Sequence, residues 1–293
     1  MNKLSTAEPI KTSSTNESII VDHDPKLDAM LGFAPQAPQN TGYDFPTEII
    51  ELPSKGLLYS KDNPLSSGRI EIKYMTAKEE DILSTQTYVR QGIVLDKLCE
   101  AIIVTPGVKF DELLIGDKNA VLMAARAYGY GPQYDTVVRT ESGTEVPISV
   151  NLSELPYKEF DESLIIQGQN RFRYTLPKSG RTVEFKLLTV ADQKSIDADI
   201  KGMQKYKTST ASRNLTTRFR HMILSVDGNE DSGTIIKFID NMLAVDSRSL
   251  REYVAKIQPD VDIEVEGVDP ETGEPFRSGF EIGIDLFYPD YKR

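Results

Sequence analysis

The chain has 293 residues, with 45 acidic against 34 basic side chains and a net charge of −11 at pH 7. That length supports two domains with cores of their own, so folding requires neither metal nor disulfide. The acidic balance repels polyphosphate and argues against sequence-independent nucleic-acid binding. A single cysteine, Cys99, excludes an intrachain disulfide and a cysteine-based zinc cage. No apolar run approaches the roughly 20 residues of a membrane span, and the N-terminus lacks the apolar core of a signal peptide. A protein made and kept in a cytoplasm is expected.

Residues 1–45 are rich in Ser, Thr, Asn, Pro and charge, with too few large apolar groups to offset the entropy of ordering, so they read as a disordered tail. One island, Leu27, Met30, Leu31 and Phe33, has helical spacing suited to a partner's groove.

A first module is expected over 46–160. Ile70, Ile72 and Tyr74 alternate with charged residues as a half-buried strand does. Thr76 and Glu79 have capping-box spacing at the start of a helix. Val94, Leu95, Leu98 and Ile102 share one helical face, stopped by Pro106 and Gly107. Asp117 reads as the cap of a further helix carrying Val121, Ala125 and Tyr128 and ended by Gly129 and Gly131. A hairpin then pairs Tyr134 to Arg139 with Val146 to Leu152 across Glu141-Ser142-Gly143.

The same order recurs over 161–293. Leu176-Pro177 replaces Leu52-Pro53, a strand carries Val183, Phe185 and Leu187, and Thr189 and Asp192 stand where Thr76 and Glu79 stood. Leu215, Phe219, Met222, Ile223 and Val226 have the spacing of one amphipathic helix, and Asp246 reads as the cap of a helix lined by Leu250, Val254 and Ile257 and stopped by Pro259. A final hairpin would set Val261, Ile263 and Val265 against Phe280, Ile282, Ile284 and Leu286 across Glu271-Thr272-Gly273. The expected fold is α+β, two related halves of antiparallel β-hairpins and short helices produced by internal duplication. Unpaired hairpin edges would allow self-association.

No constellation of groups for catalysis stands out. Cys99 has apolar neighbours and reads as a core thiol; His23 lies in the tail, and His221 sits on an amphipathic helix. Glu79, Glu80 and Asp81 read as a solvated helix face. Gly129-x-Gly131 follows a helix and has no terminal Lys-Ser or Lys-Thr, unlike a phosphate loop. Lys201, Lys205, Lys207, Arg213, Arg218 and Arg220 form the most basic stretch, yet only Tyr206 and Phe219 accompany them, which fits a charged docking loop better than a nucleic-acid reader. No cofactor or metal is expected. A carboxylate hydrolase remains the alternative of a different class.

Leu52-Pro-Ser-Lys-Gly-Leu-Leu-Tyr59, followed by Ile70-Glu-Ile-Lys-Tyr-Met-Thr-Ala-Lys-Glu-Glu-Asp-Ile-Leu83, resembles tail-module proteins of T4-like bacteriophages. Leu113 to Ala120, Tyr130-Gly-Pro-Gln-Tyr134 and Val150 to Leu155 are similar to later blocks of the T4-type baseplate hub and hub-assembly proteins. The resemblance implies a non-enzymatic role in hub assembly, as chaperone or retained subunit, with other tail and hub proteins as partners. Relatives carry a Cys-x-x-Cys-Gly knuckle where this chain has Arg139-Thr-Glu-Ser142-Gly143, so a zinc role does not carry over. A nucleic-acid binder descended from a zinc-ribbon-like module that has lost its zinc is the second reading. The candidate contact residues are Leu27, Met30, Leu31, Phe33, Leu52, Pro53, Leu57, Tyr59, Ser142, Gly143, Thr272 and Gly273.

Overall fold

In a computed structural model of the protein, residues 46–205 and 214–288 are described. The N-terminal tail 1–45, with Leu27, Met30, Leu31 and Phe33, lies outside them, as do His23, Tyr206, Lys207 and Arg213. The elements alternate as expected for an α+β chain: small antiparallel sheets and, among the described residues, eight α-helices.

The first half begins with β1 (Thr47–Glu51) paired to β2 (Arg69–Lys73), where Ile50 faces Ile70 and both are buried. Between them the chain makes a tight loop closed by the Leu52 N–H on the Gly68 carbonyl at 2.8 Å. Gly56 has φ +75° there, and a Cβ on it would stand 2.5 Å from the Gly68 nitrogen, so only glycine fits. Helix α1 (Ala77–Ser84) opens on the expected capping box of Thr76 and Glu79. It is followed by α2 (Gln86–Gln91) and α3 (Val94–Ile102), whose Val94, Leu98, Cys99 and Ile102 are buried. Ile103 then returns to bridge Ile72. Helix α4 (Ile115–Tyr130) leads into the ribbon β3 (Gln133–Arg139) and β4 (Glu145–Asn151).

The second half starts with β5 (Phe172–Thr175) and β6 (Thr182–Phe185), closed by the Leu176 N–H on the Arg181 carbonyl at 2.8 Å, the same bond that Leu52 makes. Thr189 and Asp192 cap α5 (Val190–Lys205) through the Thr189 N–H on Asp192 and the Asp192 N–H on Thr189. Next come α6 (Asn214–Met222), β7 (Ile223–Val226), α7 (Ser232–Asp240) and α8 (Ala244–Ile257). The ribbon of β8 (Glu264–Val268) and β9 (Pro275–Gly279) ends the sequence of strands.

Two expectations are corrected. The helical run through Leu215, Phe219 and Met222 stops at Met222, and Ile223 and Val226 form a strand on β6. Ile-Leu-Ser-Val is strand-prone, and Asp227 and Gly228 at positive φ turn the chain immediately after it, so pairing with an open edge wins over a further helical turn. The last hairpin is shorter and shifted: the Asp269 N–H closes it on the Glu274 carbonyl at 2.8 Å, which places Val265 opposite Ser278. Phe280 and Leu286 leave the ribbon for the core, the latter within a 3₁₀ turn, Ile284–Leu286.

One continuous apolar core runs through both halves, from Ile50 to Phe287. Arg126 on α4 helps join them. Buried, it donates to the carbonyls of Leu286 at 2.8 Å, Gly131 at 2.7 Å and Gln133 at 3.2 Å. Tyr134 and Phe280 pack with ring centres 5.6 Å apart.

Candidate binding surfaces

The two ribbon tips, 127 residues apart in sequence, touch. Asp269, the residue after β8, is buried, and its Oδ2 accepts from the Ser142 hydroxyl at 2.6 Å and the Thr140 hydroxyl at 2.9 Å. Its Oδ1 accepts from the Glu271 amide at 2.8 Å and the Thr272 amide at 3.3 Å. Thr144 donates to Glu271 at 3.2 Å, and Ser278 to the Arg139 carbonyl at 3.0 Å. The Ser142 bond, then the amides and Thr140, hold the Asp269 carboxyl down to about 2 against the effect of burial. The cluster welds two antiparallel ribbons into one projection. Ser142, Gly143, Thr272 and Gly273 are exposed at its end, and Val268 (63 % exposed) and Val137 (55 % exposed) lie on its sides.

The Leu52 to Tyr59 segment behaves differently. Leu52, Pro53 and Tyr59 are buried, so their side chains are not open to a partner; Leu57 is half-buried. The loop grips Asp117, which does not cap α4 as its position suggests. Leu114 is the N-cap residue, and Asp117, in the first turn, faces inward. It accepts from the Ser54 amide at 3.0 Å, the Ser54 hydroxyl at 2.7 Å and the Tyr59 hydroxyl at 2.5 Å, while Tyr59 accepts from the Leu114 amide at 2.9 Å. Burial outweighs these bonds and pushes the Asp117 carboxyl up to about 6.

Asp246 repeats the arrangement in the second half. It too stands in the first turn of its helix behind an N-cap leucine, Leu243, and accepts from the amides of Lys178 at 2.8 Å and Ser179 at 3.0 Å. Burial pushes this carboxyl up, but the two amides outweigh it and hold it low. In both halves an aspartate ties a Leu-Pro loop to a helix start.

The remaining candidates for chemistry are engaged structurally. Burial pushes the Cys99 thiol up to about 12, far from a thiolate at neutral pH. His221 bonds Asp199 at 2.9 Å. Glu79 is buried, not on a solvated face: burial raises its carboxyl, but bonds from Lys73 (2.8 Å) and Thr76 outweigh that and hold it low. Arg218 donates to Gln193 and Arg220 to Asp240. Among the described residues no group of three or more His, Cys, Asp and Glu is placed to hold a metal, and no helix is long and apolar enough to cross a membrane.

A family model described as T4 bacteriophage base plate protein matches residues 57–275. The chain belongs to that family. The matched span of the T4 baseplate family takes in both inward-facing aspartates, the whole first ribbon and the contact between the tips. Membership gives the protein a phage baseplate-related structural role among other phage tail proteins, in the virion tail or in its assembly in the host cytoplasm. No curated protein and no solved structure matches the chain. Sequence reasoning missed Arg126 and Asp269; a signal for the latter was present in Asp269-Pro-Glu-Thr-Gly273, whose Asp-x-x-Thr-Gly spacing is that of an aspartate accepting from its own turn.

Proposed function

We propose that this chain is a non-enzymatic, protein-binding component of baseplate hub assembly, and that the joined ribbon tips are its main contact surface. The observation that carries this reading is the Asp269 cluster. Two ribbons are fixed to each other by a buried carboxylate, and turn residues with no role in the core stand exposed at the end. A prearranged projection of that kind loses little entropy on binding. Its backbone edges and exposed valines suit a protein partner better than a small molecule. Co-expression with neighbouring tail-module proteins tests it. A stable complex that is lost on Thr272→Arg and Gly143→Arg, with the fold intact, supports the reading; failure to co-purify with every such protein overturns it. Detection of the chain in purified mature particles distinguishes a retained subunit from a chaperone that leaves.

We also infer that residues 46–160 and 161–293 are copies of one module. Support comes from equivalent bonds: Leu52 and Leu176 close the first hairpin, Lys73 and Lys186 reach the acid three residues beyond the cap threonine, and Asp117 and Asp246 grip a Leu-Pro loop. An experimental structure in which Asp117 and Asp246 fell far apart when β2 and β6 were overlaid would remove this inference.

A further inference from the structure

The first turns of α4 and α8 occupy equivalent places, but only one is covered. On α4, the Ile115 amide donates to the Leu188 carbonyl at 3.2 Å and the Val190 amide to the Leu113 carbonyl at 2.8 Å, an antiparallel bridge of Leu114 with Thr189. Pro259 and Asp260 close over the next residue so tightly that a Cβ on Gly116 would lie 1.9 Å from the Pro259 carbonyl. On α8 the counterparts are open. Leu243 is 49 % and Val245 60 % exposed, and neither the Ala244 amide nor the Met242 carbonyl has a hydrogen bond among the described residues. Beside them opens a groove of 390 Å³ lined in part by Arg181, Lys237, Phe238 and Met242.

The covering segment, Leu188-Thr189-Val190, also has a counterpart. Met75-Thr76-Ala77 leads into α1, of which Ala77 is the first residue, with the same lysine, threonine and acid spacing, and Ala77 is exposed.

We propose that a second copy of this chain docks its Met75-Thr76-Ala77 segment on the Met242 to Val245 turn, repeating between molecules the contact that joins the halves within one. The proposal rests on the reading of the halves as copies. The contact is head-to-tail, so each molecule keeps one open donor and one open acceptor face, and copies add in one direction.

Sedimentation over a concentration series tests this with the full chain. Wild type should grow in mass with concentration. Leu243→Glu, on the exposed surface, should lower the association constant by roughly tenfold or more. Ala77→Pro should do the same by removing the donor amide. Proline is favoured at the first position of a helix, and Thr76 is already extended at φ −118° and ψ 178°. Neither variant alone should form chains, but their mixture should give a one-to-one dimer, because each supplies the face the other lacks. A wild type monomeric throughout, Leu243→Glu associating as strongly as wild type, or no dimer from folded variants when mixed would overturn the proposal. Failure of the hub reading would appear separately, as absent tail-protein complexes.

Discussion

Ser142 and Asp269 meet at 2.6 Å, hydroxyl to carboxylate, across 127 residues of chain. This bond and the Thr140 bond beside it convert two separate two-stranded ribbons, each marginal alone, into one rigid feature. Ser142→Ala combined with Thr140→Val should leave the core intact while freeing the tips. Amide exchange at Glu271 and Thr272 should speed up, with α4 and α8 unchanged. Asp269→Asn should reproduce this and also remove an acid-sensitive step. The carboxyl is lower in the folded protein than its ordinary value, so its stabilisation is present above about pH 4 and fades as pH falls toward 2.

Asp117 has the opposite pH dependence. Its folded value, about 6, lies above the ordinary 3.8, so its contribution is full below the ordinary value and is lost as pH rises through 6. A shift of that size corresponds to about 3 kcal/mol. Urea unfolding of wild type and Asp117→Asn at several pH values checks this. The advantage of wild type over the variant should grow as pH falls from 7 to about 4, since the variant has no such titration.

Gly116 lies where α4 meets Pro259 and Asp260. Alanine improves helix propensity by about 1 kcal/mol at an open site. Here its Cβ would meet backbone atoms that cannot rotate away, so Gly116→Ala should destabilise by roughly 2 kcal/mol or more. Thermal unfolding measures it; a stabilised variant would mean that the two segments are further apart in solution.

Arg126 holds three carbonyls with no carboxylate partner among the described residues, and burial lowers its pKa. Arg126→Met keeps the packed stem but leaves those carbonyls unsatisfied. A loss of about 2–4 kcal/mol is expected from unfolding midpoints, with the ribbons loosened from α4.

Much of this fold was legible because its signals are local. The alternation in β2, the Thr76 and Glu79 box and the Glu141-Ser142-Gly143 turn each involve neighbours a few residues apart. The roles of Asp117, Asp246 and Arg126 were not, since their partners lie 63, 68 and 160 residues away. Asp117 and Asp246 stand in first helical turns, where a cap and an inward clamp have the same spacing. The Leu52 to Tyr59 segment was distinctive as sequence because the loop must fit around Gly56 and Asp117, and that demand keeps Leu52 and Tyr59 inside rather than at an interface. The tips were recognisable as turns, but their union required the fold.

Hydrogen exchange of the protein alone and bound to its tail-module partners tests the central claim most directly. Slower exchange on binding at residues 140–144 and 269–274 is predicted. Unchanged tips, with protection gained only elsewhere, would contradict the assignment of the joined ribbons as the contact surface.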